Sequence, residues 1–192
     1  MAKSIKFTTG VVRLSYAHLD TPTKDAQGNE IYSAQLIFDK SDKKTLNRIN
    51  DAIKQLKENP EVKAQFNNKF KDARLPIRDG DEDEADFVTA QPGVYGGQYF
   101  VGAKANKSYR PSYYHRDKTP MDDFEVSDEL YSGCYAQVVA NVYSYSAQGN
   151  KGFGIGLLAV RKIRDGEKLG GTFVSESDFE DVDFDDDESV FD

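Results

Sequence analysis

The sequence predicts a mainly β protein: a small closed barrel of about five strands, one or two inserted helices, and a disordered acidic C-terminal tail. Three observations carry that expectation. Several long segments are rich in β-branched and aromatic residues and alternate apolar with polar positions, the period of a half-buried strand. One interval, from Ser41 to Phe70, switches to helical spacing. The final stretch, VSESDFEDVDFDDDESVFD, holds ten acids and no base. A core cannot absorb so many carboxylates, because each unpaired buried charge is strongly destabilising.

The elements follow in order. IKFTTGVVRLSYAHL (Ile5–Leu19) reads as the first strand, with Gly10 as a bend or bulge. TPTKDAQGNE has the Pro, Asp, Gly and Asn of a loop. IYSAQLIFDK returns to strand, with Tyr32, Ala34, Leu36 and Phe38 on one face. Leu46, Ile49, Ile53 and Leu56 then form one apolar helix stripe, with Ser41 as its N-cap. Asn59 caps a second helix that has Pro60 at its first position and Val62, Phe66 and Phe70 along one side.

LPIRDGDEDEAD follows as an acidic surface loop. Asp79, Asp81 and Asp83 alternate as in a calcium loop, but that loop requires Gly at its sixth position and Glu at its twelfth. Those positions hold Glu84 and Ala90, so the loop is read as solvated. GGQYFVGAKANKSYRPSYYHRDKTP begins as a strand and becomes a basic, tyrosine-rich loop. YSGCYAQVVANVYSYS and GFGIGLLAVRKIRDG are the last two strands, joined by the hairpin turn AQGNK. Ala136, Val138, Ala140 and Val142 form the predicted core face, and Tyr135, Gln137, Val139, Asn141, Tyr143 and Tyr145 the other. Gly154 and Gly156 suggest the sharp curvature of a small barrel. The division is a domain over residues 1–173 and a tail over 174–192.

Charge divides the chain in the same place. All twenty-five Lys and Arg precede Ser175, against twenty-three acids, so the body carries +2 and the tail −10. Such asymmetry points to nucleic-acid work or to an interaction tail. The single cysteine, Cys134, excludes an intramolecular disulfide and a Cys-rich zinc site, and with only two histidines no metal or cofactor is expected. No apolar run approaches the roughly 20 residues of a membrane span, and no signal-peptide pattern follows Met1. The chain is therefore read as soluble and cytoplasmic. Cys134 sits in no nucleophile motif, His115 in SYYHRDK suits stacking or hydrogen bonding, and no acid falls in a nuclease motif, so no enzyme activity is expected.

Two stretches suit nucleic acid. From Lys104 to Lys118 the chain interleaves Lys104, Lys107, Arg110, Arg116 and Lys118 with Tyr109, Tyr113 and Tyr114, and Asp117 is the only acid. Cations attract phosphates without regard to sequence, and exposed rings stack on bases. The alternative is that these tyrosines pack on the barrel while the cations face water. The last hairpin carries Lys151, Phe153, Arg161, Lys162 and Arg164, with Tyr143 and Tyr145 projecting beside them. A face of Tyr and Phe edged by Lys and Arg is the usual groove of an OB-fold, although Phe153 and Tyr143 fit a core equally well.

The segment YSGCYAQVVANVYSYSAQGNKGFGIGLLAVRKIRDGEKLGG, with LPIRDGD and the acidic, Phe-bearing end, resembles a family of bacteriophage single-stranded DNA-binding proteins. The resemblance covers most of the chain from Leu75 onward. It implies a five-stranded OB-fold protein of phage DNA replication and recombination, at work in the host cytoplasm. It also implies a tail that meets replication partners such as a polymerase, helicase or nuclease. One departure stands out: the usual OB-fold has its helix between the third and fourth strands, whereas the helices here fall between the second and third.

The resulting expectation is binding of single-stranded DNA without marked sequence preference. Lys104, Lys107, Arg110 and Arg116 are assigned to phosphates and Tyr109, Tyr113 and Tyr114 to bases, with Lys151 and Phe153 on the hairpin. In the tail, Phe179, Asp185, Asp186, Asp187 and Phe191 are assigned to partner binding. Asp181, Asp183, Asp185 and Asp187 alternate, which in an extended chain spaces carboxylates by about 6–7 Å. With Phe179, Phe184 and Phe191 among them, the tail copies a nucleic-acid strand and competes with DNA from an effective concentration of ~mM. The alternative is a purely solubilising tail. A homodimer is left open. Rival readings are a DNA-mimic inhibitor, whose acidic end occupies another protein's nucleic-acid site, and a metal-dependent nuclease.

Overall fold

The computed structural model describes residues 3–170 and Phe179. The boundary at residues 173/174 and the tail assignments to Asp185, Asp186, Asp187 and Phe191 lie outside the described residues. Phe179 is exposed.

Five strands close a barrel: β1 (Ser4–Lys24), β2 (Glu30–Asp39), β4 (Gln98–Asn106), β6 (Tyr135–Ala147) and β7 (Asn150–Arg164). Two short strands, β3 (Arg78–Asp79) and β5 (Ser112–Tyr114), flank it on β4 and β7. Around the barrel the order is β1–β2–β4–β7–β6 and back to β1, and the closing contact is parallel, pairing Ala103 with Ile155 and Lys104 with Gly156. The inserted helices α1 (Lys43–Glu58) and α2 (Pro60–Gln65) lie between the second and third barrel strands, where the helical spacing placed them. Among the described residues there are also three single-turn α-helices, α3 (Asp86–Thr89) and α4 (Pro92–Tyr95) before β4, and α5 (Val126–Glu129) before β6.

The interior follows from alternation. Leu14, Leu36, Val101, Val138, Ala140 and Ile155 fill the barrel, and Ile49, Ile53 and Leu56 of α1 pack against them. A smaller cluster of Ile37, Val88, Tyr95 and Phe100 sits under α3 and α4. The predicted core face of β6 is fully buried.

Several local expectations change. β1 extends to Lys24 and stays paired with β2 through Thr23 and Lys24, leaving a turn of only Asp25–Asn29. The N-cap of α1 is Asp42, not Ser41: its carboxylate accepts from the Thr45 amide at 3.0 Å. Gly10 does mark a bulge, because the start of α1 presses on it; its amide donates to Thr45 Oγ1 at 2.8 Å, and a Cβ there would meet Asp42 Oδ2 at 2.9 Å. Asn59 caps α2 as predicted, accepting from the Glu61 amide at 2.9 Å. Phe70 lies beyond that helix but still packs against Phe66 and Phe153.

The acidic loop is not merely solvated. Asp79 and Asp81 hold Lys40 at 2.5 and 2.7 Å, and Asp83 grips Arg78 through two bonds at 2.6 and 2.8 Å. These pairs hold all three carboxyls below the usual carboxylate range. In the last hairpin, Gln148 and Gly149 have φ of 50° and 79°. Two positive φ values are what a two-residue turn needs to match strand twist.

Candidate nucleic-acid interface

The outward faces of β1, β2, β4 and the β6–β7 hairpin enclose a groove of about 940 Å³. Register fixes its floor. Ser33 pairs with Lys104 and Gln35 with Gly102, and these positions alternate with buried Ala34, Val101 and Ala103, so they face outward. The end of the last hairpin forms one wall. There Tyr143 lies opposite Gly154 and Tyr145 opposite Gly152. A Cβ on Gly154 would come within 2.6 Å of Tyr143 Cζ, and one on Gly152 within 2.8 Å of the Tyr145 hydroxyl. Both rings therefore lean across the neighbouring strand, over backbone that only glycine leaves clear. Their centroids are 6.5 Å apart, and burial pushes the Tyr143 phenol up, so it stays a neutral, largely apolar platform.

Tyr16, His18 and the Asp25–Asn29 turn form another wall, and Arg74–Pro76 bounds one end. Tyr16 is 45% exposed and has φ of 46°, an uncommon conformation for a bulky residue, at a break in the β1–β2 register. Its ring rests edge-on against Phe87 at 5.6 Å. In the turn, Asp25 Oδ1 accepts the Asn29 and Gln27 amides at 2.8 and 3.0 Å, bonds that hold its carboxyl low and fix the loop. The groove cations are Lys104 and Arg74, neither of which is in a salt bridge among the described residues. This face, with the first turn and the last hairpin at its rims, is where OB-folds take oligonucleotides.

The residues singled out from the sequence scatter. Lys104 lines the groove. Lys151 is half-exposed beside the hairpin turn. Phe153 borders the groove but is only 2% exposed: strand alternation turns its ring inward, stacked on Phe66 at 5.4 Å, while Gly154 faces out. Tyr113 is corrected: it is 6% exposed, and its hydroxyl donates to the Leu19 carbonyl at 2.6 Å. Lys107 and Arg110 are neutralised by Glu30 at 2.7 Å and Asp123 at 2.5 Å, and Arg110 also covers the Tyr32 and Tyr113 rings. Tyr109 is exposed on a short turn. Tyr114 and Arg116 lie away from the groove, beside Arg161. Tyr16 and Arg74 were not found from sequence.

Burial pushes the Cys134 thiol up to about 11, and His115 Nε2 meets Glu125 at 3.1 Å.

Comparison with known proteins places the fold and the family. The single-stranded DNA-binding protein of bacteriophage Enc34, in a C-terminally truncated form, is 26% identical with a TM-score of 0.69, over 87% of this chain and 89% of that one. The same phage protein in complex with single-stranded DNA is 26% identical with a TM-score of 0.66, over 88% and 90% of the two chains. The single-stranded DNA-binding protein gp2.5 of bacteriophage T7, at 12% identity, shares the fold, with a TM-score of 0.59 over 87% and 98%. A comparison with curated protein sequences gives no match. The family model described as Enterobacter phage Enc34, ssDNA-binding protein, matches residues 5–190, and the chain belongs to that family.

Proposed function

We propose that this chain binds single-stranded DNA in the groove between the β2–β4 face and the last hairpin. The carrying observation is the pair Tyr143 and Tyr145, laid over Gly154 and Gly152 at the usual ligand face of the barrel. Every base offers a π-face, so such a platform tolerates any sequence. Lys104 and Arg74 supply attraction to phosphates. The Enc34 protein solved with single-stranded DNA supports the same reading.

The test is anisotropy of a labelled oligothymidylate titrated at several salt concentrations. Each neutralised phosphate contributes about −0.7 to the slope of log K against log salt. Lys104→Gln with Arg74→Gln is expected to flatten that slope by about 1.4. An unchanged slope would place the phosphate track elsewhere.

We assign the tail the finer roles of competing with DNA and recruiting proteins of replication or recombination. Its charge of −10 against a body of +2 supports the competition. If the tail holds the groove with a Kd of about 0.1 mM, an effective concentration of ~1 mM lowers apparent DNA affinity about tenfold. Deleting Ser175–Asp192 is expected to restore that factor at low salt, and the gain shrinks as salt screens the contacts. Equal affinities with and without the tail at low salt would remove the competitor role. Absence of DNA binding by the truncated chain would favour the DNA-mimic reading instead.

A further inference from the structure

The outward face of β6 does not end at the groove. Beyond Tyr145 and Tyr143 it continues through Asn141, Val139 and Gln137, all partly exposed. Asn141 lies across Gly156 as Tyr143 lies across Gly154: a Cβ on Gly156 would come within 2.2 Å of its amide oxygen. Val139 sits four residues from Tyr143, or about 13–14 Å along the strand. There it joins Ala159 as the half-buried floor of a second concavity, of about 280 Å³. Tyr114 and Gln137 flank this floor, and Lys118 and Arg161 complete the lining.

The local strand geometry builds this site. β5 pairs in parallel with β7 from Ser112 opposite Ala159 to Tyr114 opposite Arg161, which brings Tyr114 to the same face as Val139 and Ala159. A bulge in β7 shifts the register between Val139 opposite Ala159 and Ala140 opposite Leu157, and exposes Leu158 between groove and concavity.

Its cations differ from others nearby. Lys107, Arg110 and Lys162 each face a carboxylate within 2.8 Å. Among the described residues Arg161 donates only to neutral oxygens, the Arg116 carbonyl at 2.8 Å and Gln137 Oε1 at 3.3 Å, so there its charge is oriented but uncompensated. Lys118, held in a tight turn with φ of 70°, and Arg116 form no salt bridge among the described residues.

We infer that single-stranded DNA leaving the groove runs on along the outer face of β6 to this second concavity. A base lodges there against Tyr114 and the Val139–Ala159 floor, with phosphates at Lys118, Arg161 and Arg116. The inference rests on the groove being the primary DNA site, and it lengthens that site. Two features favour DNA as the occupant: the unbroken row of side chains from Tyr143, and uncompensated positive charge around an apolar floor.

The test uses the full chain and labelled oligothymidylates of about 4 to about 16 nucleotides, the range of single OB-fold sites. Tyr114→Ala with Lys118→Gln is expected to leave affinity for the shortest strand unchanged. For the longest strand it should weaken binding about 5- to 150-fold, the span of one stacked base, and flatten the salt slope by about 0.7. Tyr114→Phe, which keeps the ring, should behave as wild type, and thermal unfolding reports whether each variant is folded. Wild-type affinity of the folded double variant at every length would overturn the inference. So would a long-strand effect that vanishes when Ser175–Asp192 is deleted, since the tail would then be the occupant. Tyr143→Ala with Tyr145→Ala serves as the separate control: failure to weaken the shortest strand would sink the groove itself, whatever the second concavity does.

Discussion

Replacing Tyr143 and Tyr145 together by Ala is expected to weaken single-strand binding by about 2–6 kcal/mol, since each stacked base contributes ~1–3 kcal/mol. Both rings line the groove wall rather than the barrel interior, and the glycines opposite leave them room to lean. Phenylalanine at both positions keeps the π-face and should retain most of the affinity. The glycines give a second, indirect handle. Gly154→Ala removes no groove side chain, yet its methyl group would overlap Tyr143, so the ring must swing away. Titration of an oligothymidylate, followed by anisotropy, should therefore show Gly154→Ala weakened in the same direction as Tyr143→Ala. Unaltered affinity in both would mean that the hairpin wall does not touch DNA.

Most of the barrel was legible because alternation and helical spacing are short-range signals that survive in the final packing. The core face of β6, the cap at Asn59 and the placement of the helices between the second and third barrel strands all follow from local chemistry. What failed was local as well, but depended on partners far along the chain. Ser41 and Asp42 are both good cap residues, and only the position of Gly10 against Thr45 and Asp42 shows which is used. The β1–β2 loop looked long because Thr21–Lys24 read as loop residues, and pairing with β2 recruits them into strand.

The site was less legible than the fold. Composition pointed to cations interleaved with tyrosines, but not to which side each residue faces. From Lys104 to Lys118 the chain passes from groove floor to ion-paired turn, core strand and far surface within fifteen residues. Neutralisation by Glu30 and Asp123 also comes from distant segments, so Lys107 and Arg110 looked free in sequence. The glycines of β7 carried a real signal with a different meaning. Gly152, Gly154 and Gly156 do more than permit curvature: they leave space for Tyr145, Tyr143 and Asn141 from the adjacent strand. Tyr16 and Arg74 gave no signal, since a register break and a strand-edge bridge are set by tertiary pairing.

Tyr113→Ala is expected to destabilise the fold by about 3–5 kcal/mol, the usual range for deleting a large buried aromatic side chain. Tyr113 is buried against the barrel, and its hydroxyl reaches the Leu19 carbonyl, so truncation leaves both a cavity and an unsatisfied oxygen. Tyr109, four residues earlier and 78% exposed, provides the contrast: its replacement by Ala should stay within about 0.5 kcal/mol of wild type. The two variants, compared by denaturant unfolding, separate packing from surface in one loop. The phenol gives an independent check through pH. Burial raises the Tyr113 pKa above its unfolded value, so its contribution is complete below pH of about 10 and is lost as pH climbs further, where the unfolded chain sheds the proton first. Tyr113→Phe should then be less stable than wild type near neutrality, by about 1–3 kcal/mol for the unsatisfied carbonyl, yet lose stability less steeply above pH of about 10. Parallel stability curves for the two proteins in alkali would mean that this hydroxyl is open to water, and the groove would no longer be the better claimant to the stacking tyrosines.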